Sequence, residues 1–295
     1  MSVPVDPDER ALRLADGRRL AYREFGDPGG VPVLGFHGTP GSSLMLDFLG
    51  DLAVRAGCRL IAPDRPGFGG SSPKPGRRLL DWPDDVAQLL DQLGLGRTAV
   101  IGISGGGPYA FATGWALPER IPALAIVSGM GPVAGPDATP GLPARYQRLV
   151  RFGDRAVRLA RGVFAIESLA WRHLSRLVYA RMVAASPPVD RRVLRETGVG
   201  AAIRRSIRDG FRQGGRASAD EFMLLSRPWG FPLADVRCPV VLLHGELDRL
   251  TPLAMARHTA ARLRDCHPRI LSDAGHFFAF GQPEAVLGPL LAAAR

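Results

Sequence analysis

The sequence predicts an α/β fold, in which a mostly parallel β-sheet is flanked by helices and carries an all-helical insertion. Two observations lead to this prediction. Short β-branched or Leu-rich runs alternate with helical stretches over residues 10–131, which is typical of a parallel sheet. The strand pattern then stops and resumes at Pro239. We therefore expect a core formed by residues 1–131 and 232–295, and a helical lid formed by residues 132–231.

The core strands are predicted from short apolar runs of the kind that parallel sheets bury on both faces. They cover residues 20–25, 31–36, 59–63, 98–103, 124–128, 239–243 and 269–272. Helices fill the gaps: Ser42 is a candidate N-cap, Asp81 opens an acidic first turn, and a third helix stops before Pro118. The predicted core helices cover residues 42–56, 81–93, 106–117, 252–264 and 283–293.

Composition limits the class of protein. The chain has 295 residues, of which 46% are hydrophobic and 22% charged, which suffices for a buried core and excludes disorder as the main state. The three cysteines are too few for a disulfide framework, and none lies in a Cys-x-x-Cys pair, so a reducing compartment is favoured. Residues 1–16 hold no apolar run, and no later stretch reaches about 18 apolar residues. These features predict a cytoplasmic protein.

Positive charge is concentrated in the predicted lid. Residues 132–231 hold 18 Arg against 8 Asp and Glu, whereas the rest of the chain holds 20 Lys and Arg against 20 Asp and Glu. Several of these arginines recur at the spacing of one helix face: Arg145, Arg148, Arg151, Arg155, Arg158 and Arg161. The pattern is compatible with an anionic substrate or a membrane surface, and specific nucleic-acid binding is not expected. Alternatively, coding bias toward Arg supplies side chains that simply solvate the lid helices.

The strongest local motif is Gly-Ile-Ser-Gly-Gly at residues 102–106, a G-x-S-x-G pattern between an apolar strand and a helix. A sharp strand-to-helix turn puts Ser104 in an unfavourable backbone conformation and brings residues 102 and 106 close together. Glycine at both positions avoids a clash. The helix that follows points free N–H groups at the serine, and Gly105 is a candidate donor to an oxyanion. The simpler interpretation is a glycine-rich turn.

Three further features follow predicted strands. Residues 37–41, His-Gly-Thr-Pro-Gly, come after the strand that ends at Phe36 and occupy the loop expected to supply a second oxyanion donor. Residues 244–248, His-Gly-Glu-Leu-Asp, place a carboxylate at the carboxyl edge of the sheet. His276 comes after the last strand. Ser, Asp and His therefore occur in an order that catalytic triads use.

With these residues, the sequence resembles the α/β-hydrolase superfamily over nearly the whole chain. Residues 64–72, Asp-Arg-Pro-Gly-Phe-Gly-Gly-Ser-Ser, look like the loop after the fourth strand of that family. Residues 211–214 and 227–231 are similar to the lid exit of bacterial members known only as hydrolases. The resemblance implies a mostly parallel, eight-stranded sheet with an inserted helical lid.

The resemblance also implies a role for each motif residue. Ser104 is the expected nucleophile, His276 its general base, and Asp248 the group that orients the imidazole and stabilises its charged form. Glu246 is a rival for the carboxylate role, but it lies two residues closer to the strand and is expected to face elsewhere.

The oxyanion donors implied by the resemblance are the backbone N–H groups of Thr39 and Gly105, and the Thr39–Pro40 peptide is expected to be cis. His37 and Trp229 are candidates for substrate contact, although His37 has an alternative role in bracing its own loop. No metal cluster, dinucleotide fingerprint or phosphate loop is visible, so no metal or other cofactor is expected.

The expected reaction is hydrolysis of a small-molecule carboxylic ester, lactone or thioester through an acyl-enzyme. Serine at position 104 argues against the aspartate-dependent epoxide hydrolases and dehalogenases of the superfamily. Three alternatives stay open. They are a peptidase similar to proline iminopeptidases, a carbon–carbon bond hydrolase, and a receptor that binds a small ligand without turnover.

Overall fold

Eight strands form a single sheet in the computed structural model, which describes residues 8–294 and leaves out the side chains of residues 145–156. The strands are β1 (Arg10–Arg13), β2 (Arg19–Gly26), β3 (Val31–Phe36), β4 (Cys58–Pro63), β5 (Ala99–Ile103), β6 (Leu124–Val127), β7 (Val240–Gly245) and β8 (Cys266–Leu271). Their order across the sheet is β1-β2-β4-β3-β5-β6-β7-β8. β2 runs antiparallel to β1 and β4, and the pairs from β4 to β8 are parallel. The predicted mostly parallel sheet is thus confirmed.

The sequence did not predict β1, and it placed β8 too late. β1 is four residues long and mostly exposed, so it has no apolar pattern that could have signalled a strand. β8 contains Pro268 and exposes four of its six residues, as expected of a strand at the edge of a sheet. Both errors lie at sheet edges, where burial no longer selects apolar side chains.

Ten α-helices lie in the described residues. They are α1 (Gly50–Arg55), α2 (Trp82–Gln92), α3 (Gly107–Ala116), α4 (Ala144–Ala185), α5 (Pro188–Arg195), α6 (Thr197–Gly210), α7 (Arg216–Leu225), α8 (Leu253–Arg262), α9 (Phe278–Gly281) and α10 (Glu284–Ala293). The helix predicted at residues 42–56 is instead a 3-10 helix, Ser43–Leu49, followed by α1. Ser42 makes no side-chain cap, and its N–H donates to Ser206 Oγ of α6.

Helices cover both faces of the sheet. Neighbouring residues of a strand point to opposite sides, so each strand contributes to both layers of the core. On one face, Leu34 packs in a cluster with α2 and α3. On the other face, Val33 packs in a cluster with α1 and α10. The sheet is therefore buried on both sides, which explains its continuous apolar strands.

The helices α4 to α7 lie between β6 and β7 in the chain, within the predicted insertion. They share a small apolar core that includes Trp171, Ile203 and Phe211. Four of the arginines predicted to form a stripe, Arg145, Arg148, Arg151 and Arg155, have side chains outside the described residues. No helix in the described part of the chain is long and apolar enough to cross a membrane.

We expect Ile101→Ala to lower the free energy of unfolding by about 2–5 kcal/mol, because it leaves a cavity in the central strand β5. Ile101 is fully buried. The control is Ile270→Ala in the edge strand β8, where the side chain is 37% exposed and the expected loss is about 1 kcal/mol or less. Urea denaturation compares the two variants, and equal losses would contradict the assignment of the core.

Candidate active site

Ser104 occupies a strained turn between β5 and α3. Its φ of 51° lies in the left-handed region that non-glycine residues rarely adopt. A Cβ at residue 106 would meet Phe36 O at 2.3 Å, and one at residue 102 would meet Gly106 O at 2.8 Å. Glycine is therefore sterically required on both sides of the serine, as the motif predicted.

The three residues expected to form a triad are joined by hydrogen bonds. Ser104 Oγ lies 3.1 Å from His276 Nε2, and His276 Nδ1 lies 2.7 Å from Asp248 Oδ2. The second contact assigns the Nδ1 proton to the bond with the carboxylate, so that Nε2 is free to accept a proton from the serine. These side chains, 172 and 28 residues apart in the chain, meet at the carboxyl edge of the parallel strands.

Asp248 is held rigidly by the turn that contains it. Its Oδ1 accepts the N–H groups of Leu250 and Thr251, at 2.8 and 2.9 Å, and its Oδ2 accepts the Thr251 hydroxyl at 2.7 Å. Burial alone would raise the pKa of Asp248, but the His276 ring and these hydrogen bonds outweigh burial and lower it. Glu246 is exposed and makes no hydrogen bond to His276, so the carboxylate that faces the imidazole is Asp248.

The two expected oxyanion donors lie side by side next to Ser104. Thr39 and Gly105 border the same cavity as the serine, and a Cβ at Gly105 would sit 3.4 Å from the Thr39 nitrogen. Gly105 is in the first turn after β5, where backbone N–H groups have no partner within the helix. The Thr39–Pro40 peptide is cis, as expected.

A cavity of about 420 Å³ opens above Ser104. The inserted helices contribute Phe164, Met182, Ile203, Ile207, Phe222 and Leu225 to its walls, and the core contributes Met45, Ile103, Met130, Leu250, Phe277 and Phe280. Its only polar side chains in the described residues are Thr39, Ser104, Thr251 and His276. The described residues also contain no cluster of three or more side chains suited to a metal ion.

The two residues suggested for substrate contact do not line this cavity. His37 is fully buried beneath its loop, where Nδ1 lies 2.8 Å from Gly38 O and Nε2 accepts the Arg65 N–H. Burial and the charge of Arg65 push the pKa of His37 well below its usual range. The substrate role expected of His37 is therefore corrected to the bracing role, since a neutral ring with both nitrogens engaged faces the protein.

Trp229 requires a similar correction. It is buried, and its ring stacks on that of Phe111 with centroids 6.0 Å apart. The cavity it borders is a different one of about 310 Å³, formed with Pro132 and Pro228 near both ends of the insertion. The apolar character of the insertion predicts Trp229 in a pocket wall, whereas its packing against α3 places it in the core.

A buried ion pair connects the helix α7 to the loop that contains Thr39. Glu221 of α7 receives two hydrogen bonds from Arg65, at 2.7 and 3.0 Å, and both side chains are fully buried. Arg77 and Tyr109 donate to the same carboxylate at 3.1 and 2.8 Å. Thr39 Oγ1 donates to Glu221 as well, and accepts from Arg65 at 2.9 Å. Three segments distant in sequence thus converge on one carboxylate beside the loop that contains Thr39.

The electrostatics of this cluster favour a charged Glu221. Burial would raise the pKa of Glu221, but the charges and hydrogen bonds of Arg65 and Arg77 outweigh burial and lower it to about 2. Arg65 also donates to the carbonyl oxygens of His37 and Gly38. The cluster therefore fixes the backbone of the loop that carries the Thr39 N–H.

Sequence reasoning missed this cluster. Arg65 lies in the recognised motif at residues 64–72, which could have signalled a structural role. Glu221 had no signal, because a single acid in a helix of mixed composition usually faces solvent.

We expect Glu221→Gln to lower the free energy of unfolding by about 3–5 kcal/mol, because it leaves Arg65 and Arg77 without a buried counter-charge. The stabilisation from a carboxylate with a lowered pKa is present above its unfolded pKa and is lost as the pH falls toward about 2. The wild-type protein should therefore lose more stability than the variant between about pH 5 and pH 2.

Denaturation at several pH values measures this difference. The control is Glu284→Gln, which removes an exposed pair with Arg55 at 3.9 Å and should change stability by less than about 1 kcal/mol. If the two variants were equally stable, the Glu221 cluster would not be structural.

Comparison with known proteins agrees with this architecture. The family model for the alpha/beta hydrolase fold matches residues 31–283. An uncharacterized hydrolase of Bacillus subtilis, YcgS, is 26% identical over 94% of both chains. A hydrolase from Pseudomonas aeruginosa superposes with a TM-score of 0.71 at 22% identity over 97% of this chain and 98% of its own. The esterase EaEST from Exiguobacterium antarcticum superposes with a TM-score of 0.70 at 15% identity, over 96% and 98%.

Because both identities are low, the two superpositions show a shared fold and nothing more specific. The family match covers most of the chain, including the strand ends that carry Thr39, Ser104, Asp248 and His276. The protein belongs to the α/β-hydrolase family and is a hydrolase.

Proposed function

We propose that the protein is a serine hydrolase that cleaves small, uncharged carboxylic esters through an acyl-enzyme. The observation that carries the proposal is the hydrogen-bonded chain from Ser104 through His276 to Asp248 at the floor of an apolar cavity. A nucleophile, a base and an orienting carboxylate in these contacts meet the geometric requirement for acyl transfer. The esterase with the same fold is consistent with this reaction.

The first half of the reaction acylates Ser104. His276 Nε2 takes the hydroxyl proton as Ser104 Oγ attacks the ester carbonyl, and Asp248 stabilises the imidazolium that forms. The carbonyl oxygen becomes an oxyanion, which accepts hydrogen bonds from the Thr39 and Gly105 N–H groups. When this intermediate collapses, the C–O bond to the alcohol breaks and His276 returns the proton to the departing alkoxide.

The second half releases the acid. Water enters beside His276, which accepts a proton as the water oxygen attacks the acyl carbonyl. The same two N–H groups bind the second oxyanion. Its collapse breaks the bond to Ser104 Oγ, and His276 returns the proton to the serine.

The cavity walls support an uncharged substrate. Its described lining has no Asp, Glu, Lys or Arg, and an unpaired charge in an apolar cavity is costly. A peptide with a free amino terminus would need a carboxylate to bind its ammonium group, which weighs against the iminopeptidase alternative. A substrate with a second carboxylate would likewise need a cation. A lactone or thioester of similar polarity fits the same machinery.

We also infer that the insertion acts as a lid. Six residues of α4, α6 and α7 form the side of the cavity that faces Ser104. They exclude water from the reacting carbonyl, which strengthens the hydrogen bonds to the oxyanion.

We expect Ser104→Ala to lower kcat for a short-chain aryl ester by at least about 10⁴-fold, because the nucleophile, base and carboxylate act as one unit. Release of the aryl alcohol by the purified protein measures the rate. Thr98→Ala, which changes a buried hydroxyl before β5, is the control and should keep most activity. Ester binding by the wild-type protein without turnover would instead favour the receptor alternative.

We expect the protein to prefer a neutral acyl group to an anionic one of equal length. The test uses three aryl esters: that of pentanoate, that of succinate with its second carboxyl group capped as a methyl ester, and that of succinate with a free carboxylate. The kcat/KM for the ester with the free carboxylate should be at least about tenfold lower than for the other two, because that carboxylate must be desolvated. Comparing capped and free succinate separates charge from shape. Equal values would show that the apolar walls do not select the substrate.

A further inference from the structure

The helix α4 carries an exposed apolar stripe that has no partner in the described structure. Among the large apolar side chains that are exposed in the described residues, half lie on α4. We call five of them the outer stripe: Leu159, Val163, Ile166, Leu174 and Leu177. At about 3.6 residues per turn they fall on one face of the helix, over a length of about 27 Å. Leu159 and Ile166 are 72% and 71% exposed, so no element among the described residues covers the stripe.

The inner face of α4 accounts for its packing without the outer stripe. Trp171 and Val183 are buried in the small core of the insertion, and Phe164 and Met182 border the active-site cavity. By helical period, these residues lie on the side of α4 away from the outer stripe. Neither the core of the insertion nor the cavity therefore requires apolar residues on the outside, and contiguous exposed apolar surface is typical of an interaction site.

The charge of α4 indicates what this surface binds. The helix has nine arginines against Asp154 and Glu167. Among the arginines with described side chains, Arg158 and Arg176 are exposed, form no ion pair with a described residue, and fall on the sector beside the outer stripe by helical period. An apolar stripe flanked by cations is typical of a helix that lies in the surface of an anionic bilayer.

We propose that α4 binds the protein to the surface of an anionic lipid bilayer through its outer stripe. The apolar side chains enter the boundary between headgroups and acyl chains, and the flanking arginines contact lipid phosphates. Pairing with the α4 of a second copy is disfavoured, because two helices with the same large excess of arginine repel each other.

The cavity above Ser104 borders the same helix. Phe222 borders the cavity and is also 42% exposed, so it lies where the cavity meets the surface. Its ring contacts that of Phe164 on α4, with centroids 5.9 Å apart. The cavity thus comes close to the surface beside α4, so the helix proposed to bind the bilayer also forms part of the cavity wall.

Co-sedimentation with lipid vesicles tests the proposal. We expect the wild-type protein to bind vesicles of equal parts phosphatidylcholine and phosphatidylglycerol, and to bind pure phosphatidylcholine at least about tenfold more weakly. Raising the ionic strength from about 0.1 M to about 1 M should weaken binding, because the Debye length falls from about 10 Å to about 3 Å. Absence of binding to the anionic vesicles would overturn the proposal.

Two pairs of variants separate the stripe from the rest of the surface. Leu159→Asp with Ile166→Asp should weaken binding by at least about tenfold, whereas the control Val54→Asp, at another exposed apolar position, should not. Arg158→Gln with Arg176→Gln should reduce the preference for anionic vesicles, and the control Arg257→Gln with Arg269→Gln changes the net charge equally at exposed sites outside α4.

Activity and oligomeric state complete the test. The stripe variants should hydrolyse a water-soluble ester as the wild type does, which shows that a loss of vesicle binding does not come from unfolding. Vesicle binding itself is measured without ester, so it can fail or succeed whatever reaction the protein catalyses. Vesicle binding retained by the Leu159 and Ile166 variant would overturn the proposal. A wild-type dimer in light scattering that this variant converts to a monomer would assign the stripe to a second copy and overturn it as well.

Discussion

The buried ion pair between Glu221 and Arg65 connects the helix α7 to the loop that contains Thr39, beside Ser104. Parallel strands can bring loops to one edge of a sheet, but they do not fix the conformation of each loop. Arg65 restrains the loop before Thr39 by donating hydrogen bonds to two of its carbonyl oxygens, and Glu221 of α7 holds Arg65 in place. Because both charges are removed from water, each depends on the other. The loop that contains Thr39 and the helix α7 are therefore held together by one buried ion pair.

The core of the fold was predictable because burial on both faces of a parallel sheet leaves a continuous apolar signal in each strand. The same constraint does not act on β1 and β8, whose residues are largely exposed, and these were the strands that the pattern missed or misplaced. Ser42 shows a second limit. A helix signal can be read locally, but the tertiary contact to Ser206, more than a hundred residues away, determines how the segment begins.

The candidate site shows the same division. Ser104, Asp248 and His276 could be named from the sequence, because each follows a recognisable strand and the turn at Ser104 has a steric requirement for glycine. His37 and Trp229 were candidates for substrate contact because of their positions in the loop after β3 and in the insertion, and position in the sequence does not report the direction of a side chain. Their surroundings, a braced loop and an aromatic stack, became visible only with the tertiary structure. Glu221 was hidden for the same reason, since its burial depends on partners in three other segments.

The anchoring of Glu221 also constrains how molecules enter and leave. Lifting α7 from the core would leave the guanidinium groups of Arg65 and Arg77 without their shared carboxylate, and such a separation of buried charges is costly. Beside the Phe222 side chain and α4 the cavity comes close to an apolar part of the surface, where no buried ion pair has to be separated. The ion pair that positions the Thr39 loop thus also makes one wall of the cavity costly to displace.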